Sequence, residues 1–236
     1  MRRLRAQRKP AVFHPNVSND LFVQVARICE TMGMTGETAT GKMETEIKVR
    51  LTDRGGFTTQ LPRLGFHLQT AETMERNVLF DKPDGELRQR GELLRIRQYG
   101  DRWILTHKAP SESSANSSHK VRAETETEIE DGRPLAAIFE RMGFSPTFVY
   151  EKLRTEWADN EGHVVVDVTP IGDFAELEGS SEWIDRIAAK LGISPANYMK
   201  ASYGQLFQEW KRATGHPAVN MTFAEIGNQE AHPATR

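Results

Sequence analysis

The sequence predicts an α+β protein, an antiparallel sheet of short strands with a few helices outside it. Three observations lead there. From residue 43 onward, seven segments alternate in the two-residue period of a half-buried strand. Turn residues separate several of them: Pro83-Asp84-Gly85, Gly100-Asp101, Asp131-Gly132 and Asn160-Glu161-Gly162. Only a few stretches carry the start and stop residues of helices.

Residues 1–42 stand apart as an N-terminal extension, expected to be poorly ordered. They hold a basic start (Arg2, Arg3, Arg5, Arg8, Lys9), one amphipathic piece at 21–32 that suits a short helix, and a Gly/Thr-rich stretch at 33–41. Met43, just before the first strong strand, is a candidate native start. Strands are expected over 43–51, 93–99, 102–108, 119–130, 149–157, 163–169 and 174–178. A short helix is expected over 57–64, ending near Gly65. A second, over 133–142, has Pro134 in its first turn and Gly143 at its end. The third, over 181–191, follows a Ser N-cap and stops at Gly192. A fourth covers 203–212. Residues 111–118 read as a Ser-rich loop and 213–236 as a loose tail, which puts the main domain at 43–212.

Composition narrows the function. The chain of 236 residues is 38% hydrophobic, enough for one lean core. Its net charge of -2 gives no global basic field for nucleic acid. The basic start reads as a solvated arm rather than an RNA-binding element. Cys29 is the only cysteine, so no intramolecular disulfide is expected, in keeping with a reducing cytoplasm. The basic start lacks a following apolar run, and no stretch approaches the roughly 20 apolar residues of a membrane span. A cytoplasmic protein without a membrane partner is expected.

What alternates with the apolar residues is unusual. Glu44, Glu46, Lys48 and Arg50 share one strand face, opposite Thr45, Ile47 and Val49. Arg95 and Arg97 share another. Lys108 lies opposite the face of Trp103 and Leu105. Lys120, Arg122, Glu124 and Glu126 fall on one side, as do Lys152, Arg154 and Glu156. Asp167 sits between Val166 and Val168, and Glu176 and Glu178 flank Leu177. Taken singly, each strand is most simply a sheet with one wet face. Taken together, the charges run in acidic and basic blocks, and a sheet curled into a barrel would enclose a wet lumen with separate zones. Arg and Lys there would bind phosphates. Paired glutamates would share a hard divalent cation such as magnesium.

These residues resemble a known family. Glu44-x-Glu46-x-Lys48 resembles the ExExK motif of the CYTH superfamily, which includes class IV adenylyl cyclases, thiamine triphosphatases and inorganic triphosphatases. Leu94-Arg95-Ile96-Arg97 is similar to its LRxR strand, the 103–108 strand to the one carrying a tunnel lysine, and Lys152-x-Arg154 to its KxR pair. Arg122-x-Glu124 follows in place, and Asp167 with Gly172-Asp173-Phe174-Ala175-Glu176-Leu177-Glu178 resembles the closing segment. Ser202-Tyr203 with Leu206 is similar to the ending of cyclase-like members, and the match runs in order over roughly residues 43 to 210.

The resemblance implies an eight-stranded antiparallel barrel forming a charged tunnel with helices outside, the missing strand lying within 66–80. It implies Mg2+ or Mn2+ held by Glu44, Glu46, Glu176 and Glu178, with Asp167 as a further ligand or a hydrogen-bond acceptor. It implies phosphate binding by Lys48, Arg95, Arg97, Lys108, Arg122, Lys152 and Arg154. Glu44, Glu46, Lys48 and Lys108 would be the catalytic set, and Glu124 would orient Arg122 or Lys152. The substrate would be a small triphosphate: ATP, inorganic triphosphate or thiamine triphosphate. A homodimer is left open. The 77–85 and 90–97 stretches resemble the cyclase-like branch, so conversion of ATP to cyclic AMP and pyrophosphate is the leading expectation. Triphosphate hydrolysis is the alternative. Some hydrolytic members carry a tyrosine near Leu79 and Phe80, and here neither residue has a hydroxyl. A non-catalytic polyphosphate or nucleotide sensor is the third reading. The histidines show no zinc spacing, and no strand-GxxxxGK-helix phosphate loop exists.

Overall fold

The computed structural model describes residues 42–111 and 117–227. The expectations for residues 1–41, including the 21–32 helix and Cys29, fall outside that range, as do those for 112–116 and for the last nine residues.

Eight strands close into an antiparallel barrel. They are β1 (Lys42–Leu51), β2 (His67–Asp81), β3 (Leu93–Tyr99), β4 (Arg102–Pro110), β5 (Lys120–Ile129), β6 (Ser145–Ala158), β7 (His163–Thr169) and β8 (Gly172–Glu178). Around the barrel the order is β1–β5–β4–β3–β2–β6–β7–β8, with β8 pairing back onto β1. Two meanders, β2 to β5 and β6 to β8, are therefore joined along β2 and β6, and β1 completes the circle. Among the described residues six α-helices lie outside: α1 (Arg54–Gln60), α2 (Glu86–Gln89), α3 (Gly132–Arg141), α4 (Ser181–Lys190), α5 (Tyr203–Thr214) and α6 (Phe223–Ile226). None of them is long and apolar enough to cross a membrane.

All seven expected strands form, and β2 is the eighth. Its alternation is hard to read because its pairing with β6 shifts register between Leu68 and Thr70 and again before Thr73. The first helix starts at Arg54, earlier than expected, because the Asp53 carboxylate accepts from the Gly56 amide at 2.8 Å and caps it. The loose tail is corrected as far as Gly227. Ala218, Met221 and Ile226 are buried against the barrel, and Met221 exchanges backbone hydrogen bonds with β6.

The barrel buries its apolar residues on the outside. Ile47, Val49, Val164, Val166, Ala175 and Leu177 point away from the lumen and pack under α1 and α4, which contribute Phe57, Trp183, Ile184 and Ile187. Ser180 caps α4 by accepting from the Trp183 amide at 3.2 Å. The indole Nε1 donates to Asp159 at 3.0 Å, so even its polar atom is satisfied.

A second core closes one end of the barrel. The inward positions Tyr150 and Phe174 meet Tyr203 of α5 at ring separations of 5.8 and 5.7 Å, and Phe148 stacks on Phe207 at 5.5 Å. A capping box starts α5: the Ser202 hydroxyl accepts from the Gln205 amide while the Gln205 side chain accepts from the Ser202 amide. Ser202→Ala is expected to cost about 1 kcal/mol, readable as a lowered denaturant midpoint. The opposite end, at Lys42 and Glu178, is open to solvent.

Candidate active site

Strand pleating sends the charged residues inward, and the deepest of them form one network. Arg154 stands at its centre. Its Nε donates to Asp167 Oδ1 at 2.8 Å, and its terminal nitrogen reaches Asp167 Oδ2 at 2.7 Å and Glu176 Oε2 at 2.6 Å. Lys152 donates to Asp167 Oδ2 at 3.0 Å, and Lys48 pairs with Glu176 at 2.6 Å. The Tyr203 hydroxyl donates to Asp167 at 2.6 Å, and its ring lies 4.4 Å from Lys48 Nζ and 4.9 Å from Lys152 Nζ. Glu75, fully buried on β2, lies 3.3 Å from Lys152. Arg95 donates to the Tyr150 hydroxyl at 3.3 Å and to Thr106 at 3.1 Å, and Arg97 donates to Glu126 at 3.2 Å.

Nearer the open end, carboxylates alternate with lysines. Lys108 lies 2.5 Å from Glu44 and 3.1 Å from Glu124. Lys120 holds Glu46 at 2.6 Å, and Lys42 reaches Glu178 at 3.3 Å.

The charges respond to one another. Burial pushes the Glu46 carboxyl up, but Lys120, Lys48 and Lys108 prevail over burial and Glu176 and hold it at about 2. Burial likewise raises Glu176, and Lys48, Arg154 and Lys152 drive it well below the carboxylate range. Glu75 behaves the same way, with Lys152, Arg154, Arg97 and Arg95 overcoming its burial. Glu124 goes the other way: burial, with repulsion from Glu44, lifts it to about 7 despite Lys108. Burial and then Glu44 also raise Glu178.

Two pH effects follow. Glu46, Glu75 and Glu176 have depressed carboxyls. Their contribution to stability is complete above the unfolded value of about 4.3 and is lost as pH falls toward the folded values, about 2 for Glu46. Glu124 is raised, so the native state takes up its proton first and its contribution grows as pH drops from above about 7 toward about 4.3. Unfolding free energy without added metal should therefore rise from pH 8 to pH 5 at this group and fall steeply below pH 4. Denaturant titrations at constant ionic strength would show both limbs.

The mouth suits a divalent cation in its chemistry. Glu44 and Glu46 on β1 face β8, where Glu178 lies opposite Glu46 and Glu176 opposite Lys48. Their mutual repulsion, felt at Glu178 and Glu124, is what a hard cation relieves. The donors are not pre-gathered: among the described residues no three His, Cys, Asp or Glu side chains converge as a ligand group. Lysines hold them apart. Asp167 has a different place, both its oxygens accepting from Arg154, Lys152 and Tyr203 deep in the barrel.

The metal-, phosphate- and catalytic-site candidates singled out in the sequence all lie on the eight barrel strands, at positions of the inward face. Arg122, opposite Glu44 on β5, spends a terminal nitrogen on the carbonyls of Gly91 and Lys108 at 2.8 and 3.1 Å. Glu124 pairs with Lys108 instead of Arg122 or Lys152, because those two residues stand directly opposite each other on β4 and β5. Leu79 packs toward the aromatic end, and Phe80 turns outward onto Phe139 at 5.3 Å. The sequence reading missed Glu75, Lys120, Tyr150 and the contacts of Tyr203. Lys120 had a usable signal, since it shares the face of Arg122 and Glu124.

Comparison with known proteins agrees with this architecture. The CYTH domain family model matches residues 42–203. A Methanocaldococcus jannaschii protein with a provisional adenylate cyclase name is 30% identical over 175 residues, 70% of this chain and 98% of that protein. An Aeromonas hydrophila protein named adenylate cyclase CyaB is 26% identical over 191 residues, 75% of this chain and 94% of its own length. Two solved structures share the fold. One, a provisionally named adenylate cyclase of Vibrio parahaemolyticus, has a TM-score of 0.63 at 20% identity, covering 71% of this chain and 99% of that one. The other is a Hippeastrum protein provisionally named an adenylyl cyclase and described as having a dominant triphosphatase activity. It has a TM-score of 0.51 at 21% identity, covering 70% of this chain and 95% of that one.

Proposed function

The chain belongs to the CYTH domain family, and on that premise we propose that it is a divalent-metal-dependent enzyme that converts ATP to cyclic AMP and pyrophosphate. One observation carries the reading: four basic side chains, Lys48, Arg95, Lys152 and Arg154, are buried together in the barrel within one ionic network, while Glu178 and Lys42 stand at the open end. ATP inserted phosphates first would set its β- and γ-phosphates among the deep cations. Its α-phosphate would then lie level with Glu44 and Glu46, and its ribose at the mouth. There the 3′-oxygen can bond to the α-phosphorus while the bond to the β-bridging oxygen breaks. The electron pair leaves with pyrophosphate, and the hydroxyl proton passes to solvent or a carboxylate. The adenylate cyclase names of two relatives support the same direction.

Each residue has a derivable part. Arg95, Arg97, Lys152 and Arg154 bind and orient the leaving phosphates, Arg through paired N–H donors. Lys48 and Lys108 neutralise charge developing on the transferring group. Glu44, Glu46, Glu176 and Glu178 would hold Mg2+ or Mn2+, which supplies Lewis-acid stabilisation at phosphoryl oxygens.

The test is incubation of purified protein with ATP, inorganic triphosphate and thiamine triphosphate, each with magnesium or manganese. Cyclic AMP with equimolar pyrophosphate is expected from ATP. Orthophosphate without cyclic nucleotide would make the protein a triphosphatase, and no product from any substrate would make it a binder. Either result overturns the reading.

A further inference from the structure

Among the inward charges, Glu75 is the one whose place a phosphate-binding tunnel does not explain. It is fully buried on β2, among groups suited to anions. Arg154 Nε and Arg97 Nη1 each lie 3.8 Å from its Oε2, beyond hydrogen-bond distance. Lys152 Nζ lies 3.3 Å from Oε1, which also accepts from Asn77 Nδ2 at 2.9 Å. Oε2 accepts no hydrogen bond, and the Nε atoms of Arg95 and Arg97 donate none.

The carboxylates around Arg154 therefore do different work. Asp167 and Glu176 clamp it with hydrogen bonds of 2.6 to 2.8 Å. Glu75 touches it only through charge. A buried carboxylate acts strongly at such range, and on an incoming phosphate it acts by repulsion. The cations Lys48, Arg95, Arg97, Lys152 and Arg154 face Glu75, Asp167 and Glu176, with Glu124 and Glu126 beside Arg95 and Arg97. Without Glu75, one positive charge of this balanced set would be left over.

We propose that Glu75 is a specificity-determining residue, a fixed counter-charge that weakens the grip of the deep cations so that a phosphate chain is held yet released. The inference rests on the triphosphate reading above. Its sign separates it from a structural role: a residue that merely braced the cradle would loosen binding when lost, whereas a counter-charge tightens it.

The experiment is calorimetric titration of the full chain with inorganic triphosphate and with pyrophosphate, in chelator, at low and moderate salt. Glu75→Gln is expected to bind both at least about tenfold more tightly, with the larger gain for triphosphate and a steeper salt dependence. Binding by a folded Glu75→Gln protein that is unchanged or weaker overturns the inference alone. A wild-type protein that binds neither anion overturns it together with the reading beneath it. Should Glu75→Gln fail to fold, Asn77→Asp adds a carboxylate to the same wall. Weaker triphosphate binding at mildly alkaline pH is then expected, and unchanged or tighter binding overturns the inference.

Discussion

Replacing Arg154 with alanine is expected to cost about 3–5 kcal/mol of unfolding free energy at neutral pH. The side chain is buried and touches Asp167, Glu176 and Glu75 together. Its loss leaves Lys152, Lys48 and, at 3.8 Å from Glu75, Arg97 to answer three carboxylates. Removing one partner of a buried ionic group costs far more than the group contributes as a whole, because the remaining charge keeps its desolvation cost. A pH signature should accompany the loss. In the variant Glu75 and Glu176, both held low in part by Arg154, take up protons at higher pH than in the wild type, so the gap between the two proteins should narrow on moving from pH 7 to pH 5. Paired denaturant curves read both quantities. A gap under about 1 kcal/mol, the value typical of exposed pairs, would mean that water fills the network.

Glu46→Gln is the second large effect. The substitution keeps shape and removes the charge of a buried carboxylate held at about 2 by its lysine neighbours. A neutral amide is a poor ligand for magnesium. Turnover at fixed metal should fall by at least the ~10–100-fold that even outer partners of a metal site cost, and the metal concentration for half-maximal rate should rise. Lys120, freed of its 2.6 Å partner, should not restore activity. Metal titrations followed by product formation decide this. Full turnover with an unchanged metal requirement would remove Glu46 from the ligand set.

How much of this was legible depended on whether local pattern or tertiary pairing decides the feature. β1, β3, β6 and β8 could be read because charged positions alternate with residues, mostly apolar or threonine, that face the other way. β2 could not. Its register shifts disturb the alternation, and a fully buried Glu75 looks, in one dimension, like any solvent-facing glutamate. Nothing in the sequence marks Tyr150, Tyr203 stands out only within the Ser202-Tyr203 ending, and only the folded chain shows their hydroxyls at Arg95 and Asp167. Pairings were the least accessible. Alternation says which face a residue occupies, but the partner depends on strand register. Lys108 and Glu124 meet because β4 and β5 align them, which no spacing along the chain encodes.

The aromatic packing around Tyr203, Phe174 and Tyr150 turns the barrel into a cul-de-sac. Anything that enters must back out through the same door. If a molecule is split inside, the fragment nearer the threshold departs first, and the inner one waits behind it. Turnover in such a blind alley is paced by evacuation as much as by bond breaking. The last fragment out and the next molecule in then contend for one berth.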